Sequence, residues 1–344
     1  MGRILIFLPP LRSVSGGLAV LADTAAHLRD LGAPVGLVLR EPGRPPLALP
    51  DGIPTVALGA AGLTAADTYL VPEGWPNALA PGLAARARCV VYCQNWAYLF
   101  HGLPEGVGWD RLPVSFVAVS DPVARYIELA LGVRPPILRP AIDPARFFPP
   151  PAKPDPAPVR VAFMPRKNKA LAAMIQQVAA ARAPRTGLSL AWVPIDGLPP
   201  DGVAETLRSC HVFLATGFPE GCPLPPLEAM ACGCVVAGFS GFGGFDYMRQ
   251  AGADGGFAPS LPLRDVPWGG NGFYAADNDV FGAVACLEAA ARLWTDGGAP
   301  LAHALDNARR TAAAHTPEIR RKAIANLLTL LPIENFLSNG NIPV

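Results

Sequence analysis

Charged residues are scarce in this sequence, and neither sign of charge is in excess. Only 16% of the residues are charged, and 28 basic side chains stand against 27 acidic ones. Nucleic-acid-binding proteins usually carry a basic excess, so this balance argues against a nucleic-acid partner. The apolar share of 51% is large enough to build substantial cores, which argues against a disordered chain.

Long apolar stretches are also missing. No run of 18 apolar residues occurs, so the sequence predicts no membrane-spanning helix. The apolar start RILIFL is followed by prolines and Arg12, so it lacks the h-region of a signal peptide. We therefore expect a cytoplasmic protein whose contact with a membrane, if it has any, is peripheral.

The cysteines form neither a disulfide framework nor a metal motif. Their number is odd, whereas a secreted disulfide scaffold usually has an even number. No second pair with histidine spacing follows Cys89 and Cys93, or Cys232 and Cys234, as a zinc site would require. We expect no metal and reduced, mostly buried thiols. The seven residues are Cys89, Cys93, Cys210, Cys222, Cys232, Cys234 and Cys286.

Short apolar runs alternate with helical apolar spacing, which predicts two α/β domains. The run Arg3–Leu8, the helix pattern Leu18–Leu31 and the run Val35–Leu39 form a β–loop–α–β unit. The alternation continues through a helix at Asp121–Leu131, with Ser120 as its N-cap, and restarts at Val159–Phe163 after a proline-rich stretch. A length of 344 residues suits two such domains.

These patterns predict two Rossmann-like, doubly wound parallel-sheet domains that face a cleft. Ligands in such sheets bind at the carboxyl ends of the strands, so the cleft is the expected binding site. An NAD-dependent oxidoreductase would need G-x-G-x-x-G after the first strand, and GRILIFLPPLRSVSGG lacks that spacing. The predicted divisions are domains at 1–148 and 159–315, a linker at 149–158 and a C-terminal helix within 316–344.

The segment EGCPLPPLEAMACG, at Glu220–Gly233, carries the strongest chemical pattern. Glu220 ends a loop after an apolar run, and Glu228 lies just inside the predicted helix that follows. The intervening amide groups and the helix N-terminus are suited to an anion. Carboxylates on either side can accept hydrogen bonds from a ribose and from a sugar. The pattern therefore predicts a nucleotide-sugar site.

This segment resembles the E-x7-E signature of the retaining family-four glycosyltransferases, which have the GT-B architecture. The preceding LRSCHVFLATGFPEG is similar to the family's entry into that signature, and NGFYAADND at Asn271–Asp279 is similar to a later turn. VSDPVARYI and the stretch ending AIDPARFFP are similar to the inter-domain region. The resemblance follows the chain in order and is densest in its second half.

By this resemblance, Glu228 binds the donor ribose and Glu220 contacts the donor sugar near the reacting centre. Many members have glycine where this chain has Pro223, which has no N–H to offer. The residues expected to line the sugar and phosphate pocket are Gly221, Cys222, Pro223 and Leu224.

The string MPRKNK, at Met164–Lys169, directly follows the first strand of the second domain. A departing diphosphate needs positive charge, which Arg supplies through two parallel hydrogen bonds and Lys as a point charge. The resemblance implies that Arg166 and Lys169 have this catalytic role, with Lys167 as the competing lysine. The alternative reading is a solvated basic helix start.

Two glycine-containing loops are further donor-binding candidates. Gly16 and Gly17 follow the first strand, where glycine permits close approach of the backbone to phosphates. Ser240 lies in the stretch GFSGFGGFDYM, which is predicted as a loop after the strand VVA. Both stretches can also be ordinary turns.

The stretch YCQNWAYLFH follows a predicted strand of the first domain. Many family members have a histidine here, whereas this chain has Gln94 and Asn95. Amides can bind sugar hydroxyls and Trp96 offers a flat face, so these three residues are acceptor-side candidates. The competing interpretation is that the aromatic side chains belong to the core.

The resemblance implies transfer of a hexose-type sugar from a nucleotide-diphosphate sugar to a hydroxyl acceptor, with retention and without a metal cofactor. The sequence has no evident nucleophile, so front-side displacement is the expected mechanism. The acceptor, expected on the first domain, is a glycan or a lipid-linked glycan of polysaccharide biosynthesis. The alternative is a non-catalytic subunit that binds a nucleotide sugar.

Overall fold

The structure, a computed structural model, contains two parallel β-sheets covered by helices. It describes residues 2–11, 15–41, 43, 47–217, 219–252 and 257–330. In this part of the chain, the first sheet has the order β3-β2-β1-β4-β5-β6 and the second the order β11-β10-β9-β7-β8. The two-domain α/β fold predicted from the sequence is confirmed.

The first sheet consists of apolar strands that are largely buried, because helices cover both faces of a doubly wound sheet. Its strands are β1 (Ile4–Leu8), β2 (Val35–Leu39), β3 (Thr55–Ala57), β4 (Thr68–Pro72), β5 (Arg88–Cys93) and β6 (Val114–Ala118). The helices of this half are α1 (Gly16–Asp30), α2 (Ala80–Ala84) and α3 (Asp121–Leu131). The predicted N-cap is confirmed, since the Ser120 hydroxyl accepts from Val123 N at 3.4 Å.

The second sheet follows residues 149–158, which contain neither helix nor strand. Its strands are β7 (Val159–Phe163), β8 (Leu190–Pro194), β9 (Val212–Ala215), β10 (Val235–Phe239) and β11 (Gly272–Ala275). The helices are α4 (Lys169–Thr186), α5 (Pro200–Arg208), α6 (Leu224–Ala231), α7 (Gly241–Gly244), α8 (Val280–Asp296), α9 (Gly298–Ala313) and α10 (Pro317–Leu330).

Two short elements of the second half differ from the sequence expectation. The stretch Asn271–Asp279 was expected as a turn, but Gly272–Ala275 pairs with β10 as an edge strand. The stretch after VVA was expected as a loop, but it contains the one-turn helix α7. Four residues are too few to show a period, so only the neighbouring strand or packing surface decides their conformation.

The strand orders fix where each half of the molecule can bind a ligand. In the first sheet, β2 and β3 lie on one side of β1, and β4 and the strands after it lie on the other side. In the second sheet, β8 lies on one side of β7, and β9 and the strands after it lie on the other side. Loops leave such a switch point on opposite sides and open a crevice at the carboxyl ends of the strands. The loops after β7 and β9 carry the predicted donor residues.

A buried carboxylate joins the two halves. Asp246, just beyond α7, is fully buried and accepts from the guanidinium of Arg139 at 2.7 and 2.8 Å. It also accepts from the backbone N–H of Asp121, at the start of α3, at 2.8 Å. Burial disfavours the charged form, yet the neighbouring His315 and Arg139 hold the pKa of Asp246 well below its usual range. The N-terminus of α3 is therefore fixed to the second half of the chain.

The last described helix returns to the first half. Arg320 of α10 donates to Asp23 Oδ2 at 2.7 Å and to Thr24 Oγ1 at 2.6 Å, both on α1. Ile324 is buried in the core of the first sheet. The rest of the predicted C-terminal segment, residues 331–344, lies outside the described residues.

Candidate donor site

Two loops meet at the switch point of the second sheet. Lys167 follows β7, Glu220 follows β9, and their side chains form an ion pair. The loops are also joined by hydrogen bonds from side chains to backbone carbonyls, because Thr216 Oγ1 donates to Lys167 O at 2.5 Å and Asn168 Nδ2 donates to Thr216 O at 2.6 Å. Lys167 and Glu220 are therefore held in fixed positions at the strand ends.

A pocket opens beside this ion pair. Residues from both loops, from the start of α6 and from the end of β10 line it, among them Lys167, Thr216, Glu220, Pro223 and Ser240. The Ser240 hydroxyl is buried and has no hydrogen-bond partner among the described residues. The pocket thus combines a cation, a carboxylate and a free hydroxyl, the groups that sugar and phosphate oxygens require.

Glu228 lies on the first two turns of α6 and is half-buried. Within the described residues its carboxylate accepts no hydrogen bond. Burial raises the pKa of Glu228 to about 7, although the nearby charges of Arg166 and Arg146 favour the ionised form. It is therefore a carboxyl group still open to a donor such as a ribose hydroxyl.

The raised pKa of Glu228 predicts a pH-dependent stability. In the folded state the carboxyl group of Glu228 keeps its proton up to a pH of about 7, whereas in the unfolded state it loses the proton near its ordinary pKa of 4.5. The free energy of unfolding therefore falls as the pH rises from 4.5 to about 7. In Glu228→Gln, the decrease in the free energy of unfolding over this pH range should be smaller than in the wild type by about 1–3 kcal/mol. Urea unfolding at several pH values measures it.

The matched control for this prediction is Glu205→Gln, because Glu205 is exposed on α5. It should keep the wild-type slope of the free energy of unfolding against pH. Equal slopes in the wild type and in Glu228→Gln would show that Glu228 is ionised in the folded protein throughout this range. Burial also raises the pKa of Glu73 to about 7. All variants therefore keep a second pH dependence of stability, of the same sign, that comes from Glu73.

The loop between the two glutamates lies against the first half of the chain. Ser120 Oγ donates to Gly221 O at 2.6 Å, and Asn95 Nδ2 donates to Pro219 O at 3.1 Å. A β-carbon placed on Gly221 would lie only 1.9 Å from Gln94 O, so this position requires glycine. Cys222 and Leu224 pack against the cores of both halves. We name residues 219–224 the donor loop.

The glycines after β1 lie close to the same loop. A β-carbon on Gly16 would lie 3.8 Å from Leu224 Cδ1, and one on Gly17 would lie 3.5 Å from Gln94 Oε1. Both residues open α1, whose N-cap is Ser15. The structure thus places Gly16, Gly17, Gln94 and the donor loop close together. The sequence analysis predicted each of them, from different motifs, to lie in the cleft.

The basic residues after β7 are placed differently from one another. Lys167 pairs with Glu220, whereas Lys169 is exposed at the first residue of α4. Arg166 is exposed as well, and its charge acts on Glu228. Of the two lysines left open by the sequence, the structure brings Lys167 to the pocket. The catalytic roles of Arg166 and Lys169 stay predictions.

Trp96 lies between the two halves of the chain. Its ring centroid is 5.7 Å from that of Tyr126 on α3 and 5.5 Å from that of Phe242 on α7. This placement agrees with the interpretation of Trp96 as a packing residue. Tyr98 and Phe100 of the same stretch are exposed, so the core interpretation is wrong for them. Gln94 and Asn95, by contrast, present their side chains toward Gly17 and the donor loop.

The sequence analysis missed Glu73. This residue follows β4 directly, at the switch point of the first sheet, and is half-buried. Its carboxylate accepts from the backbone N–H groups of Gln94 and Asn95. A glutamate immediately after an apolar strand is the signal that would have found it, once the strand order placed that strand at the switch point.

Other expectations concern absent features. The seven cysteines are free thiols, and no group of His, Cys, Asp and Glu side chains within the described ranges is arranged to hold a metal. Among the helices that the structure describes, none combines the length and the apolar character needed to cross a bilayer.

Comparison with known proteins agrees with the class that the sequence predicts. The chain matches no protein-family model. It is 27% identical over 237 residues to a protein named alpha-1,6-glucosyltransferase from Actinobacillus pleuropneumoniae serotype 7. That alignment covers 67% of this chain and 71% of the relative.

The fold is similar to that of several solved glycosyltransferases. Sucrose-phosphate synthase from Thermosynechococcus elongatus superposes with a TM-score of 0.65 at 14% identity, over 96% of this chain and 99% of that one. The lipopolysaccharide outer core galactosyltransferase WaaB gives 0.61 at 12% identity, over 95% and 99%. The catalytic domain of starch synthase IV from Arabidopsis thaliana, bound to ADP and acarbose, gives 0.58 at 13% identity, over 94% and 100%.

The chain has the GT-B fold, as the sequence predicts. Its similarity to the alpha-1,6-glucosyltransferase agrees with the glycosyltransferase class that the sequence predicts. The sequence similarity to the alpha-1,6-glucosyltransferase is consistent with the family-four resemblance.

Proposed function

We propose that this chain transfers a hexose-type sugar from a nucleotide-diphosphate sugar to a hydroxyl of a glycan or lipid-linked acceptor, with retention and without a metal. The observation that carries the proposal is the Lys167–Glu220 ion pair beside the pocket at the switch point. The alpha-1,6-glucosyltransferase relative and the ADP-bound starch synthase support a nucleotide-linked glucosyl donor class. A cytoplasmic place in cell-surface polysaccharide synthesis belongs to the same proposal.

In this proposal, the donor lies across the start of α6. Glu228 accepts hydrogen bonds from the ribose, and Arg166 and Lys167 neutralise the diphosphate. Glu220, released in part from Lys167, accepts from hydroxyls of the sugar, and Ser240 donates to the sugar or to a phosphate oxygen. Fixed charges and helix amides at the point where charge develops are the largest electrostatic contribution to such a transfer.

The proposed chemistry is a front-side displacement. The bond between the anomeric carbon and the diphosphate oxygen breaks, and the acceptor oxygen bonds to the same face of that carbon. The acceptor proton passes to the departing diphosphate, so charge and atoms balance without an enzymatic nucleophile. Gln94 and Asn95 lie on the acceptor side of the cleft. A product of inverted configuration, determined by NMR of the new linkage, would refute retention.

Calorimetric titration with UDP, GDP, dTDP and ADP, without added metal, tests the donor site. One nucleotide should bind to the wild type at micromolar concentration. Glu228→Ala should lower the affinity for that nucleotide by about 10–100-fold, because hydrogen bonds to a charged group contribute about 1.5–3 kcal/mol each.

The matched control is Glu205→Ala, which replaces an exposed glutamate of α5 in the same half of the chain. It should bind the nucleotide as the wild type does. Binding of none of the four nucleotides by a folded protein would overturn the donor site. Binding without hydrolysis or transfer of any matching nucleotide sugar would favour the non-catalytic subunit.

A further inference from the structure

Glu73 occupies a position in the first half that corresponds to the donor pocket of the second. It lies at the carboxyl end of β4, beside the switch point between β1 and β4. The loops after β4 and β5 lie next to each other there, because these strands are paired in register from Thr68 with Arg88 to Pro72 with Tyr92. Glu73 therefore lies at the sheet edge where a doubly wound domain binds its ligand.

The carboxylate of Glu73 binds the turn that follows β5. Its Oε2 accepts from Gln94 N at 2.7 Å, and its Oε1 accepts from Asn95 N at 2.9 Å. Burial raises the pKa of Glu73 to about 7, and these two amides oppose that rise because they favour the ionised form. Both carboxylate oxygens are thus used to fix two successive residues of one turn.

That turn is one of the parts of the first half that contact the donor loop, together with Ser120. Asn95 Nδ2 donates to Pro219 O at 3.1 Å, and the Gln94 carbonyl packs against Gly221. Asn95 Oδ1 also accepts from Ala97 N at 3.1 Å and begins the short helix Trp96–Tyr98. The orientation of this turn therefore decides how closely the acceptor side approaches Glu220.

We propose that Glu73 is a positioning residue, which holds the Gln94–Asn95 turn against the donor loop and so sets the distance between acceptor and donor. The inference rests on the proposed function. Glu73 itself touches neither substrate in this arrangement. It acts through the turn, so its loss should affect transfer more than nucleotide binding.

The test is Glu73→Gln in the full chain. Glutamine keeps the size of the side chain, but its NH₂ group faces one of the two backbone N–H donors and cannot accept from it. We expect kcat for transfer to fall by about 10–100-fold, since small misplacements of reacting groups cost about that much. The dissociation constant of the nucleotide should stay unchanged. Glu105→Gln, on an exposed residue of the same half, is the control.

A second readout does not depend on activity. Hydrogen exchange followed by mass spectrometry should be faster in Glu73→Gln for peptides that cover residues 94–97 and 219–224. Asn95→Ala, which removes the contact with Pro219 but keeps Glu73, should produce the same change in 219–224. If Glu73 acts through Asn95, the double variant should lose little more than either single variant.

The outcomes separate this inference from the proposed function. Wild-type kcat and unchanged exchange of 219–224 in both Glu73→Gln and Asn95→Ala would overturn the positioning role. Equal losses in nucleotide affinity and kcat would overturn it too, because they would indicate general damage to the fold. A wild type that binds no nucleotide would refute the proposed function, and the exchange comparison would still decide the role of Glu73.

Discussion

Lys167→Ala should reduce the rate of sugar transfer at saturating donor by about 10²–10³-fold, the usual cost of removing one fixed electrostatic contact to a developing charge. Lys167 is the cation that lines the pocket at the switch point, and its ammonium group already pairs with Glu220. Without it, the departing diphosphate loses a positive charge and Glu220 loses the partner that orients it. Single-turnover measurement of product formation gives the rate of the chemical step.

Lys169→Ala is the matched control, because it removes the same side chain only two residues farther along. Lys169 is exposed at the start of α4, and its replacement should leave the rate unchanged. The opposite result, a large loss for Lys169→Ala and none for Lys167→Ala, would support the lysine that the family resemblance implies. It would also contradict the placement of the diphosphate beside Lys167.

Asp246→Asn should lower the free energy of unfolding by about 2–4 kcal/mol, because it leaves the cations around a buried carboxylate without their counter-charge. Asp246 is fully buried and accepts from Arg139, while Arg264 Nε lies 3.3 Å from its Oδ1. It also accepts from the first amide of α3, across the two halves of the chain. The substitution should therefore loosen the contact between the halves as well as lower stability.

Urea unfolding followed by intrinsic fluorescence measures this loss. Asp306→Asn provides the control, because Asp306 forms an exposed pair with Arg309 on α9, and exposed ion pairs contribute little to stability. A urea midpoint for Asp246→Asn equal to that of the wild type would show that Arg139 and Arg264 are adequately solvated without the carboxylate.

Local sequence determined most of the secondary structure, because its signals act over a few residues. Val35–Leu39, Asp121–Leu131 and Val159–Phe163 have the observed bounds that their apolar spacing predicts. β3 and β11 were missed, because each is an edge strand of three or four residues. Their conformation depends on hydrogen bonds to β2 and β10, which no local pattern encodes.

The candidate site divides in the same way. The sequence selected Glu220 and Glu228 as candidates, because their spacing around an apolar helix start is a local pattern. It left Lys167 and Lys169 as alternatives and gave no reason to select Glu73. Those choices depend on which loops the strand order places together, and β7 and β9 are separated by about 50 residues of chain.

By itself, the sequence determined that this protein has two α/β halves and no membrane-spanning helix pattern. It also determined that the second half carries a motif typical of nucleotide-sugar binding. Only the tertiary structure decided that Lys167 meets Glu220, that Asp246 joins the halves, and that Glu73 holds the turn beside the donor loop. The physical reason is that helix and strand patterns arise from neighbouring residues. Ion pairs and buried carboxylates depend on side chains that folding brings together from distant parts of the chain.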